Sequence, residues 1–151
     1  MLVSYPALFY YDDSDDVDAK FFVSFPDFSG QAGTQGIDIP DAMCMASDWL
    51  GMVLADTIEN GREIPTPSSI NRLSLIANHP LKNDQEVETV FDTEKSFKSM
   101  VTVDVSQYLG SQEPVKKTLT IPKWADKLGR EMQLNFSKTL TDAIADRKLN
   151  I

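Results

Sequence analysis

"VKKTLTIPKWADKLGREMQLNFSKTLTDAI" (residues 115–144) opens as a basic, threonine-rich run and then passes into two helical patterns. Read with a period of two, Leu119 and Ile121 fall on one face, and Lys116, Thr118 and Thr120 on the other. Pro122 stops strand pairing and suits the start of a helix. Ala125, Leu128 and Met132 then recur at helical spacing. Asn135 is a good N-cap, and Phe136, Leu140, Ala143 and Ile144 form an apolar stripe behind it. The spacing predicts strand, helix, helix.

Such a unit is too small to hide its apolar faces unaided. A lone strand has two open edges and pairs most easily with its twin from a second chain, so a homodimer or higher homo-oligomer is expected. The paired strands would show Lys116, Thr118 and Thr120 twice about a two-fold axis, with Lys117 beside them. A two-stranded ribbon fits the major groove, where Lys and Thr can hydrogen-bond base edges. The start of the second helix, at Asn135, Phe136 and Ser137, offers backbone N–H groups to a phosphate. DNA is the partner this pattern points to, the other reading being a dimerisation module whose lysines only solubilise it.

Charge divides the chain at the same place. Residues 115–151 hold 8 Lys and Arg against 4 Asp and Glu, while residues 1–114 hold 6 against 19. A basic tail on an acidic body suggests two tasks. The 42% hydrophobic content supports a packed core within the 151 residues. The single cysteine, Cys44, excludes an intrachain disulfide framework and suits a reducing compartment. The first residues lack a signal-peptide pattern, and no run is long enough to span a bilayer, so a cytoplasmic protein with no membrane partner is expected. The one histidine, His79, lies in a turn-like "NHPLKND". One His and one Cys far apart argue against a Cys–His pair or a zinc site, and no phosphate cradle or nucleophile elbow occurs. No enzyme and no cofactor are expected.

The acidic body reads as β-β-β-α-β, an α+β arrangement of one sheet and one helix. "LVSYPALFYY" (2–11) and "KFFVSFPDF" (20–28) favour strands, and "DFSGQAGTQG" (27–36) adds a short third. Between the first two lie five aspartates: Asp12, Asp13, Asp15, Asp16 and Asp18. A calcium loop starting at Asp12 would need Gly and Glu where Val17 and Val23 stand, so calcium is excluded. What remains is a solvated loop tip or a patch for a basic partner. Asp38 caps a helix with Pro40 in its first turn, and apolar residues at 42, 45, 46, 49, 50, 53, 54 and 58 keep its period. Gly61 stops it. "EIPTPSSINRL" (63–73) breaks regular structure. Residues 77–98 read as a polar insertion or loop, and "SMVTVDVSQYL" (99–109) as a last strand.

The tail, "TLTIPKWADKLGREMQLNFSKTLTDAI", resembles a ribbon-helix-helix domain. With it, "YPALFYYDD", "FFVSFPDFSGQAGTQG", the helix carrying "DWL", and "NGREIPTPS" resemble the HicB family of antitoxins. That resemblance implies a partly degraded RNase H-like body over 1–110, which binds and blocks a HicA-type, mRNA-cleaving toxin. It also implies a ribbon-helix-helix domain over 111–151 that dimerises and represses the chain's own operon. Asp12, Asp13, Asp15, Asp16 and the turn at Phe25, Pro26 and Asp27 are the candidate toxin contacts. The carboxylates gather in a loop instead of converging on metals, so an active nuclease is disfavoured. A competing reading is a free-standing dimeric ribbon-helix-helix regulator whose body senses a small molecule.

Overall fold

A computed structural model describes residues 1–28, 33–83, 91–110 and 114–149. Parts of the readings above, namely the turn at 29–32, residues 84–90 of the polar segment, 111–113 and 150–151, lie outside the described residues. The chain falls into two compact units, Leu2–Tyr108 and Leu109–Ile151.

The first unit follows the order β1 (Leu2–Tyr11), β2 (Phe21–Ser24), β3 (Thr34–Gly36), α1 (Ile39–Glu59) and β4 (Asp92–Asp104). The strands form one antiparallel sheet in the order β3-β2-β1-β4. β1 carries the core. Tyr5 to Tyr10 are all buried, so both of its faces are covered. Pro6 lies beyond the β2 pairing, which stops at Leu8 opposite Ser24, so the residue without an N–H sits where β1 has a ladder on one side only.

Tyr5, Phe9, Val23 and Val101 share one face of the sheet, and α1 packs over it through Ala42, Ala46, Leu50 and Leu54. The buried positions recur every four residues, and the face is narrower than the sequence suggests: Met45 is exposed. Small Ala side chains let the helix lie close. A Cβ on Gly36 would stand 2.4 Å from the Ala42 nitrogen, so glycine is required where β3 meets α1. Asp38 caps α1, its carboxylate accepting the Asp41 N–H at 2.9 Å, while Asp41 accepts the Ile37 N–H. At the other end Gly61, with φ +64°, lets Gly61 and Arg62 return their N–H groups to Ile58 and Thr57.

The opposite face carries Leu8, Tyr10 and Lys98. Tyr10 Oη donates to the Leu75 carbonyl at 2.8 Å, and Lys98 Nζ donates to those of Leu73 and Ile70. The proline-rich segment after α1 therefore forms a strap across this face, with a short 3-10 turn at Ile70–Arg72.

Two strand boundaries differ from the sequence reading. β2 ends at Ser24, and Pro26–Phe28 closes into a 3-10 turn because Pro26 offers no ladder N–H. β4 begins at Asp92, inside the segment read as a loop, and ends at Asp104 ahead of a 3-10 turn at Val105–Gln107. Its first half is polar because it lies at the sheet edge. There the ladder shifts between Phe9 and Tyr11, and Ser96 Oγ accepts the Tyr11 N–H while donating to the Asp92 carbonyl.

The second unit holds α2 (Lys123–Glu131) and α3 (Phe136–Leu149). Residues 114–122 take no regular secondary structure, although a strand is expected there. A ladder needs a neighbour, and the described single chain supplies none. Leu119 and Ile121, expected to be buried, are 61% and 44% exposed. Met132 caps α2, Gln133 takes φ 54°, and Leu134 N–H returns to the Gly129 carbonyl. The Phe136 ring lies where a Cβ on Gly129 would be, at 2.5 Å.

Leu50→Ala should cost the first unit about 2–5 kcal/mol through the cavity it leaves. Met52→Ala on the exposed side should stay within about 0.5 kcal/mol. Urea unfolding followed by Trp49 fluorescence, in a Trp124→Phe background, measures both. Equal costs would show that α1 does not pack as described.

Candidate functional site

The aspartate loop is tied down at its base. Asp12 N–H donates to the Lys20 carbonyl, and Lys20 Nζ donates to the Ser14 carbonyl at 2.6 Å. The Ser14 hydroxyl and backbone N–H hold the Asp12 carboxyl below the usual carboxylate range. Asp13, Asp15 and Asp16 stand exposed beyond this base. Among the described residues no three His, Cys, Asp or Glu side chains come together as a metal-holding group.

The expected "FPDF" contact divides. Phe25 is buried and stacks on Trp49 with ring centroids 4.9 Å apart, so it belongs to the core and not to a surface. Asp27 is engaged too: its carboxylate accepts the Ser68 N–H at 2.9 Å and the Ser68 hydroxyl. Pro26 is half-buried in the same turn. Tyr5 Oη donates to the Pro65 carbonyl at 2.5 Å, and burial followed by the nearby Asp27 charge pushes its pKa up to about 12. This turn anchors the strap. Phe25 continues the alternation of Phe21 and Val23, and all three are buried, which is the sequence signal that separates it from Pro26 and Asp27.

His79 also has a structural place. Its ring lies 4.5 Å from that of Tyr10 and 5.5 Å from that of Phe91, and Nδ1 accepts the Leu81 N–H at 3.2 Å. Burial lowers its pKa. Tyr10, buried against these rings, has its own pKa raised by burial.

In the second unit, Lys116, Lys117, Thr118 and Thr120 are exposed on the segment leading to α2. Val115, Lys117 and Leu119 line a groove of about 390 Å³ with Phe136, Leu140 and Ile144 of α3. The period of two thus survives without a ladder: odd positions turn to the helix, leaving Lys116, Thr118 and Thr120 as the alternate set. Asn135 Oδ1 accepts the Lys138 N–H at 3.0 Å, so its side chain is the N-cap of α3. Phe136 is 43% exposed and Ser137 borders the groove. Among the described residues 114–148, Gly129 alone is buried. Leu119, Ile121, Trp124, Leu128, Met132 and Phe136 thus form an unusually open apolar surface for so short a segment.

A family model described as "HicB_like antitoxin of bacterial toxin-antitoxin system" matches residues 4–82, over half of the chain. The chain belongs to this family. Antitoxins act by binding, so HicB-like membership makes this chain an antitoxin and not an enzyme. A chain of a "Toxin-Antitoxin complex from Streptococcus pneumoniae" is 65% identical and similar at a TM-score of 0.71, covering 98% of this chain and 100% of that one. The antitoxin HicB of Burkholderia pseudomallei, at 20% identity and a TM-score of 0.55, covers 94% of this chain and 96% of its own, a likeness of fold. Among curated proteins none matches. Among the described residues, no helix of this HicB-like chain is long and apolar enough to cross a membrane.

The His79 site generates a pH dependence. Because its folded pKa lies below the ordinary 6.5, the unfolded chain takes up the proton first as pH falls. Stability is fully present above pH 6.5 and declines below it, before the carboxylates begin to titrate. His79→Gln should flatten unfolding midpoints measured between pH 7 and 5. An undiminished decline in the variant would remove His79 as the cause.

Proposed function

We propose that this antitoxin neutralises a HicA-type, mRNA-cleaving toxin through residues 1–110 and represses its own operon through a ribbon-helix-helix dimer built from residues 111–151. The reading of the body as a partly degraded RNase H-like scaffold, and a cytoplasmic site of action, belong to the same proposal. Family membership supports the antitoxin role, and the relative at 65% identity is itself part of a toxin–antitoxin complex. The body's 18 acidic residues against 6 basic suit an RNA-binding partner, since opposite potentials speed and select association. Asp12, Asp13, Asp15 and Asp16 are placed to steer that encounter, while Phe25 drops out as a contact.

The open groove beside Leu119, Phe136 and Leu140 carries the second half of the proposal. A second copy would bring its own Leu119 and Ile121 against these helices, and the two segments 115–121 would complete one another as strands. Lys116, Thr118 and Thr120 would then face outward together into the major groove, with Lys117 and the Asn135, Phe136, Ser137 helix start serving the phosphates. The alternative, a free-standing regulator with a small-molecule sensor, has no comparable support.

The test combines assembly and DNA binding. Light scattering should find the full chain at least dimeric at micromolar concentration. In gel shifts on the chain's own promoter, Thr118→Ala and Thr120→Ala should lower affinity and flatten the preference over random DNA. Each lost base contact costs about 1–3 kcal/mol. Lys116→Ala should also reduce the salt dependence. A dimeric triple-alanine variant that binds the operator like the parent would refute the reading strand, and a monomeric parent would refute the dimer.

A further inference from the structure

The exposed side of α1 has a composition that a solvent-facing helix does not need. Met45 and Met52 stand two turns apart and are 40% and 57% exposed. Asp48, Asp56 and Glu59 follow on the same stripe at spacings of three and four residues, all exposed. Asp48 Oδ1 accepts the Tyr108 hydroxyl at 2.6 Å, and Asp56 pairs with Arg62, so these carboxylates are held in place while their side chains stay at the surface. Trp49, half-buried, stacks on Phe25 beside the stripe and stiffens the helix beneath it. The result is a rigid ridge on which two adaptable thioether side chains alternate with fixed carboxylates, that of Asp56 paired with Arg62.

Such a mixture of apolar anchors and polar groups suits a binding surface. Methionine suits the anchor role, because its unbranched, polarisable side chain fills irregular pockets. The aspartate loop lacks such anchors, having only carboxylates and a half-buried Val17 around Ser14. Charge on a mobile-ended side chain steers; residence requires buried apolar area.

We infer that the outer face of α1, centred on Met45 and Met52, docks the basic RNA-binding surface of the toxin, with the 12–18 loop serving to steer the approach. This rests on the toxin-neutralising role proposed above. The partner chemistry follows from these carboxylates: a protein that cleaves RNA must offer Lys and Arg to phosphates, and Asp48, between the two methionines, and Glu59, two turns beyond Met52, complement those cations. Occupying that surface would exclude RNA without any contact to the reacting atoms.

The experiment uses the full chain and the purified small protein encoded beside it, with binding followed by surface plasmon resonance. Met45→Arg/Met52→Arg should weaken binding at least tenfold, mainly by faster dissociation. Asp13→Asn/Asp15→Asn/Asp16→Asn should slow association and leave dissociation unchanged. Circular dichroism and light scattering of each variant without toxin show whether fold and oligomeric mass are kept. Should either change in the arginine variant, Met45→Ala/Met52→Ala replaces it, with the same tenfold criterion. A loss smaller than tenfold overturns the assignment while leaving neutralisation by the body standing. A change of oligomeric mass in the alanine variant also overturns it, because the face would then be a contact between copies. Failure of the unaltered chain to bind the small protein removes the neutralising role itself.

Discussion

Strand β1 must be covered on both faces, and the rest of the first unit is arranged around that need. Leu8 and Phe9 are neighbours in sequence, point to opposite sides of the sheet, and are both fully buried. A sheet with one wet face would leave half of this strand in water, at about 1.5–3 kcal/mol for each large side chain. α1 answers on one side with small residues that allow close approach. The strap answers on the other, where it cannot form a helix because of Pro65 and Pro67, and so it is held by side chains reaching to its carbonyls. Tyr10 and Lys98 each supply such a donor, and Tyr5 holds Pro65, at the start of the strap, from the helix-covered face. The aromatic residues of the body are thus spent on fixing an irregular segment, and the candidate contact at Phe25 and Asp27 is absorbed by the same task.

Much of this was legible in the sequence. The order of strands and helix in the body, the Asp38 cap and the Gly61 stop all follow from local rules, since they depend on residues within one turn of each other. The first half of β4 did not, because "DTEKSFKS" carries only Phe97 as an apolar signal. An edge strand with one buried residue among exposed ones has no clear period, and its existence depends on β1 lying beside it. The strand expected over 115–121 fails in the described chain for the related reason that a ladder is a property of two segments. Its alternation is real, as the groove side of Val115, Lys117 and Leu119 shows, yet alternation alone makes no hydrogen bonds. The candidate sites follow the same division: exposure of Asp13, Asp15 and Asp16 could be read from charge, and the side of Phe25 from its alternation with Val23, whereas the engagement of Asp27 depended on Ser68 in the distant strap.

The two units also differ in how their surfaces are used. In the body, exposed apolar side chains such as Met45 and Met52 interrupt an otherwise acidic exterior. In the tail, nearly every apolar side chain is exposed and the basic residues stand between them. The first arrangement suits the docking face proposed for α1; the second suits half of the core that the proposed dimer would complete.

A half core has a consequence for response. If the groove along Leu119, Phe136 and Leu140 is filled by a second copy, forming the DNA-reading surface is a second-order process in the concentration of the chain. Doubling the supply then raises the active species about fourfold while monomer predominates, as mass action requires. A regulator assembled in this way is nearly silent when scarce and engages sharply once its synthesis outpaces dilution. The exposed side chains of Leu119, Phe136 and Leu140 would set the threshold of that circuit.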